Sequence, residues 1–150
     1  MLQIWHPHIT VAAVIERDGQ FLLVEELADG VCVINQPAGH WEANESLIDA
    51  VVRETLEETA YHFQPRALIG IYNWPHPGTG ITYLRLAFTG DILAHAAEQA
   101  LDAGILRALW LTPEALRVQS TRHRSPLVLR CLEDYLAGKR YPLEILTSFL

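Results

Sequence analysis

The order of apolar and polar positions divides the chain into strand-like runs with a few helical stretches between them. Residues 8–16 and 20–26 are rich in β-branched and bulky apolar side chains and are separated by Arg17-Asp18-Gly19. An Asp-Gly step between two such runs favours a tight hairpin, because both residues tolerate the positive φ the turn needs. Glu25 and Glu26 close the second run and are expected at a solvated strand end, a pocket rim being the alternative. Residues 31–35 give another short strand, after which Gln36-Pro37-Ala38-Gly39 is expected to turn the chain. Residues 67–74 and 81–89 read as strands flanking an irregular Pro-Gly-rich loop, and residues 105–111 as one more.

Helical periodicity replaces strand alternation in two main places. Leu47, Ile48, Val51, Val52 and Leu56 recur at helical spacing and wrap nearly half the axis, so this helix is expected to be embedded against a sheet. Asn44 is expected to be its N-cap, with Glu45 in its first turn and its end near Thr59. Residues 127–137 form a second amphipathic pattern, opened by Ser125-Pro126 and closed by Gly138; Thr112-Pro113-Glu114 is the start signal of a shorter helix. Residues 94–104 fit a short helix or a loop. One domain over residues 1–150 follows, of α+β class, with an α/β/α sandwich around a mixed sheet.

Charge changes the picture at one point. Between Gly39 and Tyr61 lie five glutamates and an aspartate. Glu54, Glu57 and Glu58, spaced i, i+3 and i+4, project from one arc of the helix and repel one another. The arc of Glu54 and Glu58 is continued by Leu47, Ala50 and Val51, so these acids extend an apolar stripe. A divalent cation is the natural counter-charge, and an all-oxygen ligand set favours Mg²⁺ or Mn²⁺ over zinc. A solvated acidic face is the alternative. Glu45, Asp49, Arg53 and Glu57 lie four apart, which predicts that Arg53 bridges Asp49 and Glu57 and orients the latter as a ligand.

Composition removes several classes of function. The formal charge of −7 over 150 residues argues against a binder of nucleic-acid polymers. It also implies that an anionic substrate needs metal ions and a few placed cations to approach. Cys32 and Cys131 lack the paired spacing of a zinc or redox site and are expected to be buried thiols. His6, His8 and His40 have no cysteine or acid at metal-site spacing, so zinc is not expected there. With no secretory pattern at the start and no apolar run of membrane-spanning length, the expectation is a soluble cytoplasmic protein that does not engage a membrane.

Gly39, Glu45 and the run Arg53-Glu54-Thr55-Leu56-Glu57-Glu58-Thr59-Ala60-Tyr61 together resemble the signature of the Nudix hydrolases, which cleave diphosphates linked to another moiety. Every charged position of that signature is present. Thr55, Ala60 and Tyr61 depart from it, and Ala60, where the family has glycine, implies a helix that ends somewhat differently. The resemblance implies the Nudix fold, with Glu54, Glu57 and Glu58 holding Mg²⁺ (or Mn²⁺), the Gly39 carbonyl as a further ligand, and Glu57, Glu58 and Arg53 as catalytic residues. Glu98 and Asp102 are further candidates for the general base, since some members recruit an acid from this region.

Asn35-Gln36-Pro37-Ala38-Gly39-His40, Leu84-Arg85, Arg124-Ser125-Pro126-Leu127 and Arg140-Tyr141-Pro142-Leu143-Glu144 extend the resemblance to one phosphatase branch of that family over nearly the whole chain. That branch implies release of orthophosphate from nucleoside tri- and diphosphates and from the pyrimidine diphosphate precursor of thiamine. Arg85, Arg124 and Trp74 are the candidates for substrate binding, and a monomer or homodimer is expected. Two other readings stay open at this point, a hydrolase of nucleotide sugars or dinucleoside polyphosphates and a non-catalytic nucleotide sensor.

Overall fold

The computed structural model describes residues 2–150. The first hairpin forms as its sequence dictates, with Asp18 and Gly19 both at positive φ, 52° and 78°. It does not join one continuous strand to the next, however. β1 (His8–Val14) belongs to a five-stranded sheet, where it lies between β5 (Ala38–His40) and β7 (Thr82–His95), with β6 (Tyr61–Pro75) and then β9 (Tyr141–Pro142) beyond β7, whereas β2 (Glu16–Arg17) starts a second sheet with β3 (Gln20–Ala28), β4 (Val31–Asn35) and β8 (Ile105–Leu111). The chain crosses between sheets at Ile15, which is fully buried.

The larger sheet is mixed. β1 runs parallel to β7 (Thr82–His95), while β5 (Ala38–His40), β6 (Tyr61–Pro75) and β9 (Tyr141–Pro142) pair antiparallel with their neighbours. Alternate residues of its central strands supply two cores. Val11, Ala13, Leu68, Leu86 and Phe88 pack with Ala50 and Val51 of α1 (Leu47–Thr59). Val14, Ile69 and Ala87 pack with Val128, Cys131 and Leu132 of α3 (Leu127–Leu136). Strand side chains point to opposite faces in turn, so one sheet serves both helices and the α/β/α sandwich follows.

Several local expectations are corrected. Asn44 is not the N-cap; it sits at φ 66°, and Ser46 caps α1 by accepting a hydrogen bond from the Asp49 amide at 2.9 Å. The expected turn over residues 36–39 is partly strand, because Ala38, Gly39 and His40 pair with β1. β6 and β7 are much longer than their apolar runs, and residues 94–95 complete β7. Register shifts at three points along β6 accommodate Pro65 and the glycine at 70 within the pairing, which local pattern reading does not anticipate. Thr112 caps α2 (Pro113–Val118) as its sequence signals, with its hydroxyl on the Ala115 amide. Of the two thiols, Cys131 is buried and Cys32 only half-buried.

Ala60 takes the left-handed conformation usual for glycine at a helix end, φ 62° and ψ 15°, and donates to the Leu56 carbonyl at 2.9 Å. The helix therefore ends in the ordinary way, with an alanine absorbing about 1 kcal/mol of backbone strain. Its methyl is buried, and burial of one such group returns about 0.8 kcal/mol. Ala60→Gly is accordingly expected to change the urea-unfolding free energy by less than about 0.5 kcal/mol, the two contributions nearly cancelling.

Candidate functional site

α1 emerges from its cap with one face in the core and its acids at the edge of that face. Glu54 and Glu58 are buried together with Ala50, Val51 and Thr55, as the stripe predicts, while Glu57 is more than a third exposed. β5 runs alongside and brings Gly39 against Glu54. A Cβ built on Gly39 would overlap the carboxyl carbon and both oxygens of Glu54. Only glycine allows this approach, so the conformational reason for Gly39 is proximity to an acid. The Glu58 carboxylate accepts a hydrogen bond from the Ala38 amide at 2.9 Å.

Arg53 organises the remainder. It donates to both carboxylate oxygens of Glu45 at 3.0 and 2.8 Å, to Glu54 at 2.8 Å, to Glu57 at 3.2 Å and to the His40 carbonyl at 3.1 Å. The expected partner Asp49 is not among them. Glu45 takes that place because it lies before the helix, where the chain folds back over Arg53. Glu45 also accepts from the Glu42 amide, and the Arg53 bonds hold its pKa below the ordinary carboxylate range.

Glu54 and Glu58 lie in the wall of a cleft of about 570 Å³ lined also by Glu26, Asn35, His40, Tyr83, Arg85 and Arg124, whereas Glu45, Arg53 and Glu57 stand outside that lining. Burial raises the pKa of Glu54, against the pull of Arg53. Burial raises Glu58 further, to about 8, with Glu26, Glu54 and Asp102 adding to the effect and the Ala38 amide opposing it. Glu57 is raised by burial and by Asp102, whose amide donates to the Glu57 carbonyl at 3.0 Å. Asp102 thus joins the acids of α1, whereas among the described residues no hydrogen bond or ion pair ties Glu98 to them.

Among the described residues no three histidine, cysteine or acidic side chains converge as a ready-made metal cage. The donor set nevertheless suits a hard dication of the Mg²⁺ kind, which takes one or two carboxylates and completes its shell with water and substrate phosphate. Glu54 and Glu58 supply buried carboxylates, Glu54 sharing Arg53 with Glu45 and Glu57, and Glu58 forming no ion pair among the described residues, and Gly39 brings backbone without a side chain against Glu54. The three histidines singled out in the sequence form no such set. His8 and His40 contact each other at 3.1 Å, and burial, then His8 and Arg124, lower the His40 pKa.

The substrate-binding candidates separate. Arg85 and Arg124 line the cleft. Trp74 does not; its ring stacks on Tyr83 at 6.0 Å and 26°, and it is Tyr83 that reaches the cleft. Tyr72 bonds Asp134 at 2.8 Å, on the α3 side of the sheet. Glu25 and Glu26 overturn the expectation of a solvated strand end, since both are buried. Glu25 meets Arg107 at 2.6 Å and Arg122 at 2.9 Å; burial alone would raise its pKa, but Arg107, Cys32 and Arg122 outweigh that and hold it low. Glu26 meets Arg124 at 2.7 Å in the cleft wall. Their arginine partners lie 82 to 98 residues away, so no local signal could have found those ion pairs.

A NUDIX domain family model matches residues 6–130. The phosphatase NudJ of Escherichia coli K12 is 39% identical over 143 residues, spanning 95% of this chain and 92% of that protein. A solved NUDIX hydrolase from Nitrosomonas europaea is 50% identical, with a TM-score of 0.95 over 96% of this chain and 98% of its own. The solution structure of the E. coli ORF135 protein, 24% identical with a TM-score of 0.66 over 87% and 89%, shares the fold. Among the described residues no helix is long and apolar enough to cross a membrane. Acids of one helix set against a glycine in a cleft that also holds two arginines are thus found on a chain whose likeness to NudJ runs nearly end to end, and the protein is a member of the Nudix hydrolases, of the NudJ-like phosphatase type.

Proposed function

We propose that the protein is a Mg²⁺-dependent phosphatase (Mn²⁺ serving as a substitute). Its substrates are nucleoside tri- and diphosphates, or a related small diphosphate such as the thiamine pyrimidine precursor, from which it releases orthophosphate. The observation that carries this reading is the placement of Glu54 and Glu58, buried and beside Gly39, in the same cleft as Arg85 and Arg124. Five acids, Glu26, Asp29, Glu42, Glu54 and Glu58, face two arginines there, so a polyphosphate gains little from the bare cleft. Glu54, Glu57, Glu58 and the Gly39 carbonyl hold the cation; when bound, it offsets the charge of the phosphate oxygens and lowers the pKa of an attacking water.

The side chains then have separate tasks. Arg85, from β7, and Arg124, from the segment before α3, receive phosphate oxygens. One of Glu57, Glu58 and Asp102 accepts the proton of the attacking water, whose oxygen bonds to phosphorus as the bridging P–O bond breaks toward the departing phosphate. Tyr83, backed by Trp74, offers a ring face for the organic part of the substrate. Arg53 touches acids on either side of it and orients them. Arg53→Ala is expected to lower kcat by roughly 10–100-fold, the usual cost of removing a partner that holds a ligand in place, with a smaller change in KM. Steady-state kinetics over a range of MgCl₂ concentrations checks it.

The same proposal has the enzyme act in the cytoplasm, as a monomer or homodimer. The direct test is orthophosphate release from GTP, GDP and the thiamine precursor, with MgCl₂ and with EDTA. Release with MgCl₂ that EDTA abolishes is expected. Two mononucleotide-sized fragments from a nucleotide sugar or dinucleoside polyphosphate, without orthophosphate, would overturn it in favour of a pyrophosphohydrolase. Binding with no product would mark a sensor.

A further inference from the structure

The two arginines of the cleft are treated in opposite ways by the fold. Arg124 donates to Glu26 at 2.7 Å, so its charge is matched before any ligand arrives. Arg85 is 6% exposed and is the one arginine among the buried polar residues described. Its guanidinium donates to Gln36 Oε1 at 3.0 Å and to Asn35 Oδ1 at 3.1 Å, with Cys131 Sγ at 4.0 Å, and it forms no ion pair among the described residues. Arg53, Arg66, Arg107, Arg117, Arg122 and Arg130 each meet a carboxylate.

Two amide oxygens fix the direction of a guanidinium without cancelling its charge. A buried cation left that way is costly, and a carboxylate at either position would relieve it. Gln36 cannot simply turn away. It is 2% exposed, and its Nε2 donates to the Val128 carbonyl in α3 at 2.8 Å. A carbonyl accepts only from the amide nitrogen and a guanidinium donates only to the amide oxygen, so the two partners together fix the amide's orientation. The backbone around it is also strapped down, since the Ala13 amide donates to the Pro37 carbonyl and the Arg124 amide to the Ile34 carbonyl, each at 2.9 Å.

We propose that Gln36, assisted by Asn35, is a positioning residue that presents Arg85 to the cleft as an unneutralised receptor for a phosphate group. The inference rests on the diphosphate chemistry proposed for this cleft. The neutral amides are the functional feature, because a glutamate at 36 would fill the same space while occupying the receptor with its own charge. Arg124, by contrast, offers its charge only in competition with Glu26.

The test compares Gln36→Glu with Gln36→Met in the full-length protein. Both lose the donor to Val128, and only the first adds a charge facing Arg85. Binding of imidodiphosphate in MgCl₂ is measured by titration calorimetry, and KM and kcat by orthophosphate release from GDP. Q36E is expected to weaken imidodiphosphate binding at least about tenfold more than Q36M and to raise KM more than it lowers kcat, one charge-assisted contact being worth that much. On an Arg85→Met background Q36E should add no further loss. Should Q36E fail to fold, Asn35→Asp against Asn35→Leu repeats the comparison at the other guanidinium nitrogen, both variants losing the donation from Asn35 to Glu26 and only the first adding a charge. Equal binding by Q36E and Q36M, or no imidodiphosphate binding by the unmodified protein, overturns the inference. Selective loss in Q36E in a protein that releases no orthophosphate would leave the receptor standing and remove the proposed activity instead.

Discussion

Glu58→Gln is expected to make the metal-free protein more stable at pH 8 while lowering orthophosphate release by more than roughly 100-fold, beyond the cost of losing an outer partner of a metal ligand. Burial, with Glu26, Glu54 and Asp102 nearby, pushes the Glu58 carboxyl from an ordinary 4.5 up to about 8. The folded protein then holds a proton that the unfolded chain gives up at lower pH. No penalty exists below about 4.5; it grows as pH rises and is complete above about 8. Glutamine carries no charge to bury and keeps an oxygen for the Ala38 amide, so the variant's advantage should widen across that window and be worth several kcal/mol at its top. Melting curves from pH 5 to pH 9, with and without MgCl₂, show it directly. The unmodified protein should gain stability from MgCl₂ at the alkaline end, and the variant should gain much less. Near-normal turnover by the variant would remove Glu58 from the ligand set.

Gly39→Ala should be the second large loss, with a different signature. The added methyl meets the carboxyl of Glu54, the free end of a side chain rather than backbone. The side chain yields and the sheet does not, so secondary structure and melting temperature should change little while Glu54 leaves its place beside β5. A fall in kcat of about 100-fold or more is expected, together with a raised MgCl₂ requirement, because ligand geometry tolerates displacements well below an ångström. Circular dichroism alongside a MgCl₂ titration of activity separates this from misfolding. An alanine variant with unchanged magnesium dependence would show that the close approach of Gly39 to Glu54 plays no part in holding the metal.

What the sequence disclosed was what depends on neighbours. The arc of Glu54 and Glu58 was readable because helical spacing fixes which residues share a face, and the Asp18-Gly19 hairpin because two residues determine the turn. The cap was misassigned by two positions, since Asn44 and Ser46 are both capable residues and only the path of the chain over Arg53 decides between them. The lengths of β6 and β7 went unseen because Pro65 and the polar residues around it lack any strand alternation and are held by pairing across the sheet. Glu25 and Glu26 were misjudged for a related reason: a glutamate's exposure is set by its partner, and theirs arrive from β8 and the segment before α3. Arg85 was identified on β7, but its neutral cradle required residues some fifty positions earlier in the chain to be brought alongside.

The tip joining β6 to β7 places His76 and Thr79 at the cleft, while the acids stand on a helix anchored elsewhere in the sandwich. Lengthening or rewriting that tip alters what the enzyme accepts and leaves the hydrolytic apparatus undisturbed. A lineage can therefore exchange one phosphate-bearing substrate for another in small, independently viable steps, each retaining a working catalyst.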